Sequence, residues 1–204
     1  MRKTRVSIAL LVVAVWTWTE SARAQGYLTG GIHFPKQDAA PPPSSPHAIA
    51  PSGRTTAWFA GGGVYLIPAM AVDVAWARTG VMSSVQTPRF NQTLALEVRD
   101  TFISLGARAR VPAAPHFTVE PVAGFVILRR ENWSQQQGGY QRIKSAAQGY
   151  GLSFGVDARI GSPQVGLVPT LRIYVTNRSV NESVYPGGAE RLTIAPGVGI
   201  QVNF

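Results

Sequence analysis

A chain of 204 residues has room for one domain of ordinary size, and its 14% charged content falls well below the roughly 25% of a soluble domain while 45% is hydrophobic. The absence of cysteine excludes a disulfide framework, thiolate metal sites and a cysteine nucleophile. A net charge of +9 points to an anionic partner, whether nucleic acid or a membrane surface.

The N-terminus narrows that choice. MRKTR is a basic start, and Val6 to Trp16 is an apolar core of eleven residues, too short for a spanning helix. Small residues at Ala22 and Ala24 then offer cleavage before Gln25, so residues 1–24 read as a secretory signal peptide and residues 25–204 as the mature domain. Removing Arg2, Lys3, Arg5, Arg23 and Glu20 leaves a net charge of +6. An exported chain does not meet nucleic acid, so this charge needs a partner in the envelope or outside the cell.

Along the mature chain no helical period stands out. Segments of about ten residues instead alternate between two unlike faces, as strands do. In QGYLTGGIHF, Leu28, Ile32 and Phe34 oppose Tyr27, Thr29 and His33. TAWFAGGGVYL follows, and AMAVDVAWAR then sets Met70, Val72, Val74 and Trp76 against Ala71, Asp73 and Ala77. DTFISLGARARV sets Ile103 and Leu105 against Ser104, Arg108 and Arg110, and FTVEPVAGFVIL sets Glu120 and Gly124 against Val119, Phe125 and Ile127. YGLSFGVDARI places Asp157 and Arg159 on one face, and VGLVPTLRIYVT places Arg172 there. The chain closes on ERLTIAPGVGIQVNF, whose apolar positions run without a miss from Leu192 to Phe204. Pro121, Pro169 and Pro196 fall inside strands on the apolar face, where a bulge or a widened hydrogen-bond pair is expected at each.

Connections alternate in length. Ile67-Pro68, PAAPH and GSPQ are short, whereas the other four are long and rich in proline, serine or glycine. In an antiparallel meander this gathers all short turns at one rim and all long loops at the other. Small residues and charges suit a cramped lumen that the large apolar set would overfill, so the apolar face is expected to look outward to lipid. Backbone groups in lipid find no water, so the sheet must close on itself. The expected fold is all-β, an eight-stranded antiparallel up-and-down transmembrane β-barrel with short periplasmic turns and long extracellular loops.

The pattern resembles the eight-stranded outer-membrane barrels of the OmpA/OmpX type. The resemblance covers residues 25–204 and implies a bacterial outer-membrane location. It also implies that Val198, Ile200, Val202 and Phe204 form the C-terminal signal read by the barrel-assembly machinery. The peptidoglycan-binding domain of full-length OmpA has no counterpart in these residues.

Inside the barrel, Asp73, Arg108, Arg110, Glu120, Asp157, Arg159 and Arg172 are expected to form a charge network that plugs the lumen, because buried carboxylates need partners. If Val111 pairs with Phe117, Arg108 sits directly opposite Glu120. At the outer rim, the stretch RRENWSQQQGGYQRIKSAAQG reads as a loop. Its Arg129, Arg130, Arg142 and Lys144, with Arg178 and Arg191 of the last loop, are candidates to face lipopolysaccharide phosphates. Trp58 and Trp76 suit an aromatic girdle. There is no HExxH, G-x-S-x-G or P-loop, so no metal, cofactor or catalytic residue is expected and the protein is not read as an enzyme. The expected partners are outer-membrane lipid and lipopolysaccharide, the assembly machinery and an external or host ligand bound through the loops, with the barrel itself a monomer. A structural or surface-interaction role follows: membrane integrity, adhesion or host contact. The alternatives are a narrow channel for small solutes and a lipid A-modifying enzyme, for which His33 is the one strand histidine on offer.

Overall fold

A computed structural model describes residues 25–37, 53–86, 94–136, 142–176 and 191–204. The signal-peptide reading of residues 1–24 lies outside the described residues. Eight long strands, β1 (Gly26–His33), β2 (Ala57–Ile67), β3 (Met70–Thr79), β4 (Leu94–Ala109), β5 (Phe117–Gln136), β6 (Arg142–Gly161), β7 (Val165–Thr176) and β8 (Arg191–Asn203), pair antiparallel in chain order. The ladder between β1 and β8, from Tyr27 opposite Asn203 to His33 opposite Gly197, closes the sheet into a barrel. Closure removes both sheet edges, the condition for placing this backbone in lipid.

Ladder partners give the stagger. A path from Tyr27 runs through Gly63, Asp73, Gly106, Gly124, Ser153, Tyr174 and Thr193. It returns to the first strand's continuation at Gln37, ten residues on. Eight strands with this stagger tilt by roughly 35–45° and leave an interior that side chains just fill.

The alternation predicted for each strand is present. Leu28, Leu105, Phe125, Phe154, Leu167 and Ile200 are exposed on the outside, while Tyr27, Asp73, Arg108, Glu120, Asp157 and Arg172 are buried inside. The interior is less small-sided than its glycine and alanine content suggests. Phe59, Phe102, Val126, Leu128 and Tyr174 also point inward and pack together. They fit because glycines on the same face leave room. A Cβ on Gly199 would lie 2.7 Å from the Phe59 ring, and one on Gly63 would lie 2.6 Å from the Tyr27 hydroxyl.

Two expectations about the connections change. The stretch after Leu128, read as a loop, is strand: β5 continues to Gln136 and β6 starts at Arg142, with Arg129 opposite Gln148 and Trp133 opposite Lys144. The connection PAAPH is also mostly paired, since Val111–Ala114 lies against the start of β5 and only Pro115 and His116 turn the corner. Val111 faces Val119 instead of Phe117, and a register shift between Pro112 and Ala114 absorbs the extra residue. At the three in-strand prolines, where a bulge or a widened pair is expected, the structure shows an opened ladder without a register shift. Pairing lapses beside each one: at Ala109–Arg110 opposite Pro121, at Ala158–Arg159 opposite Pro169, and beyond His33 opposite Pro196. The missing proline N–H costs a rung without adding a residue.

The turn between β6 and β7 depends on one glycine. Gly161 has φ of +143°, where a side chain is strained. The Ser162 hydroxyl accepts from the Val165 N–H at 3.0 Å, and Arg159 donates to the Ser162 carbonyl at 2.8 Å.

Candidate functional site

The inner wall is ordered in layers along each strand. On β4 the inward sequence is Asp100, Phe102, Ser104, Gly106, Arg108; on β5, read in the same direction through the barrel, it is Arg130, Leu128, Val126, Gly124, Val122, Glu120. On β7 Tyr174 precedes Arg172 in that direction. An outer ionic layer and an inner ionic layer thus flank an apolar septum.

Arg108 organises the inner layer. Its guanidinium lies 2.8 Å from Asp73, 2.8 Å from Glu120 and 2.7 Å from Asp157. Glu120 and Asp157 are direct ladder partners, so two carboxylates face each other across β5 and β6. Directly opposed like charges repel, and the shared guanidinium offsets this. Arg172 holds the other side of Asp157 through two bonds at 2.5 and 2.8 Å, the fork-on-carboxylate geometry that arginine forms best. Arg110 reaches Glu120 at 3.4 Å and lies over the Tyr65 ring at 3.7 Å. Arg159 is 3.9 Å from Glu120 and is chiefly a turn cap, donating to the carbonyls of Ser162 and Pro163.

All seven residues expected in the charge network therefore stand inside the barrel, but their pairing differs from the sequence-based register. Arg108 is opposite Val122, and the unshifted register places Arg110 opposite Glu120. The ion pair of Arg108 with Glu120 forms because arginine reaches diagonally to the next inward residue. Two tyrosines complete the layer. Tyr27 donates its hydroxyl to Asp73, and Tyr65 donates to Glu120 at 3.2 Å. Their parity with the inward faces of β1 and β2 was visible in the sequence; their reach across the lumen was not.

The septum comes next. Phe102 and Tyr174 stack at 4.4 Å, and Phe59 stacks on His33 at 4.1 Å. Beyond it Asp100, fully buried, takes two bonds from Arg130 at 2.7 and 2.5 Å, and its backbone N–H donates to the Thr79 hydroxyl at 2.9 Å. Sequence reasoning missed Asp100 and put Arg130 at the rim facing lipopolysaccharide. Arg130 shares inward parity with Glu120 and Gly124, and the extension of β5 carries that parity past Leu128.

The outer surface changes character over one rung. Trp76, Ile103, Ile127 and Tyr150 form a continuous row of ladder partners, all exposed. The next row is Arg78, Thr101, Arg129 and Gln148. Arg129 and Arg78 point outward, each beside Glu131 at 3.9 and 3.4 Å, and Arg99 lies over the Trp133 ring at 5.5 Å. Arg142 and Lys144 occupy β6 and Arg191 begins β8; Arg178 lies outside the described residues. Val198, Ile200, Val202 and Phe204 are all exposed on the outside of β8. Phe204 is tied to β1 by reciprocal backbone bonds with Gly26 at 2.8 and 2.9 Å. An apolar band running round the whole wall is far beyond the few hundred Å² that a soluble monomer exposes, so this surface is built for a hydrocarbon surround.

No protein-family model matches the chain, and no curated protein matches it. Solved structures do. A major outer membrane protein from Thermus thermophilus superposes with a TM-score of 0.56 at 13% identity, covering 89% of this chain and 99% of that one. Ail, the attachment invasion locus protein of Yersinia pestis, solved in complex with the heparin analogue sucrose octasulfate, gives a TM-score of 0.54 at 8% identity, covering 89% and 99%. At such identities the likeness speaks for the fold, and it agrees with the closed antiparallel sheet and the apolar exterior. By fold, this chain is an eight-stranded β-barrel of the kind found in bacterial outer membranes.

Proposed function

We propose that the protein is an outer-membrane barrel with a closed lumen and a structural or surface-interaction role, serving membrane integrity, adhesion or host contact. The observation that carries this reading is the filled interior, in which two ionic layers enclose an apolar septum. A water-filled pore needs around 16 strands. Arg78, Arg99 and Arg129, just beyond the apolar band, suit the phosphates of lipopolysaccharide, with Trp76 and Tyr150 as the girdle below them. The basic positions on the extended β5–β6 hairpin and at the start of β8 suit an external polyanion; the Ail complex with a heparin analogue is the parallel that suggests this chemistry. The protein is not an enzyme on this reading. His33, the histidine available for acyl chemistry, is stacked on Phe59, and its two ring nitrogens have no hydrogen-bond partner among the described residues.

The test has two arms. Reconstituted wild-type protein in a planar bilayer should carry no steady current; a stable conductance would replace this reading with the channel. Protein with Arg142, Lys144 and Arg191 all replaced by glutamine should lose binding to immobilised heparin while keeping the gel shift of a folded barrel. Equal binding by this variant and wild type would remove the polyanion-binding role.

A further inference from the structure

One strip of the inner wall differs from the rest. Where β8, β1 and β2 adjoin, the inward positions of one rung are Val168, Gly199, Gly31 and Phe59. The two glycines form a bare floor, and the Phe59 ring lies on it. A Cβ on Gly31 would be 2.9 Å from the ring, and one on Gly199 would be 2.7 Å from it. On the rung to one side are Thr170, Gly197 and His33; on the rung to the other are Gln201 and Thr29. All four polar residues are nine-tenths or more buried. His33, Gln201 and Thr29 each have a side-chain polar atom with no partner among the described residues, and Thr170 stands beside its ladder partner Asp157. Such unpartnered groups are satisfied by water when protein does not supply a partner. Three of them stand on one strip, interrupted by one aromatic ring.

We propose that this strip is a polar lane through the barrel and that Phe59 is its gate. With the ring on the glycine floor, the lane is cut into two separate polar sites and the septum is continuous. With the ring swung off, the floor offers no side chain to replace it, and Thr29 and Gln201 connect to Thr170 and His33. Toward the outer end the positions on β2 and β8 remain small, with Ala57, Ala195 and Thr193, beside Pro35 and Tyr174. The occupant is water with small inorganic anions. The inner ionic layer beside the lane holds four guanidinium groups (Arg108, Arg110, Arg159, Arg172) against three carboxylates (Asp73, Glu120, Asp157), which favours anions over cations. The inference goes beyond the closed, surface-interacting barrel proposed above, and the ion-pair network is not the gate.

The experiment compares wild type, Phe59→Leu, Phe59→Ala and the double variant Phe59→Ala, Gln201→Leu in planar bilayers with a chloride gradient, each checked for folding by gel shift. Phe59→Ala should raise the mean current at least tenfold over wild type, with a reversal potential on the chloride side, and Phe59→Leu should stay near wild type. Adding Gln201→Leu should abolish most of the gain. A folded Phe59→Ala as tight as wild type overturns the gate, and a cation-selective current or an unchanged double variant overturns the lane. If Phe59→Ala does not fold, the gate is read from single cysteines at Thr193 and Gln201, which lie toward opposite ends of the β8 wall. Because the chain has no cysteine of its own, a small charged thiol reagent added from the outer side should modify Thr193→Cys faster than Gln201→Cys in wild-type background, and equal rates would overturn the gate. Because the readout is the change between variant and wild type, it is separate from the heparin test of the surface role.

Discussion

Glu120 and Asp157 face each other as direct ladder partners across β5 and β6, and the guanidinium of Arg108, from β4, bridges both at 2.8 and 2.7 Å. The same group also holds Asp73 at 2.8 Å, so one buried cation serves three carboxylates. This makes the inner layer lopsided in its dependence on single residues.

Replacing Arg108 with Met should therefore be the most damaging change in the layer. It strands three carboxylates, and removal of one partner from a buried pair costs about 3–5 kcal/mol. Glu120→Ala should cost less, because Arg108 keeps Asp73 and Asp157. Urea titration of the refolded barrel, followed by tryptophan fluorescence, ranks the two. An equal loss would show that Arg108 is not the hub.

At the outer layer the contrast is between neighbours. Asp100→Asn weakens a fully buried pair with Arg130 and should lower stability by about 1–3 kcal/mol. Arg129→Ala, one residue away on the outward face, should stay within about 0.5 kcal/mol. The same titration checks both, and a large effect of Arg129→Ala would reverse the inward and outward assignment of this stretch of β5.

The exterior can be tested with charge. Leu105 and Phe125, ladder partners exposed on the outside of β4 and β5, should each cost about 2–4 kcal/mol when replaced by Arg if they face the bilayer midplane. Folding into lipid vesicles with the variant at graded denaturant measures this. A harmless Arg at either site would mean that the apolar wall does not meet acyl chains.

Gly161→Ala should destabilise by at least about 1 kcal/mol, since φ of +143° does not suit an L side chain. The added Cβ would also come within 2.7 Å of the Val165 carbonyl. Ser162→Ala in the same turn removes two exposed hydrogen bonds with Val165 and adds no backbone strain, so it should be milder. Refolding yield and the urea midpoint of the two variants separate backbone strain from lost bonding.

The sequence by itself determined how many strands form the barrel, which face of each points out, and that the apolar face is the outer one. Those properties follow from a two-residue period that the pleat imposes locally, and Leu105, Phe125 and Ile200 stand where that period puts them. It also placed Asp73, Arg108, Glu120, Asp157 and Arg172 on the inner face. Only the tertiary structure decided which of them meet. The register between β4 and β5 depends on the shift at Pro112–Ala114, and a long arginine ignores a two-residue offset by reaching diagonally. The Asp100–Arg130 pair and the Phe59 ring on Gly31 and Gly199 have the same origin. Each joins residues distant along the chain, across strands whose relative stagger is set by closure of the whole barrel.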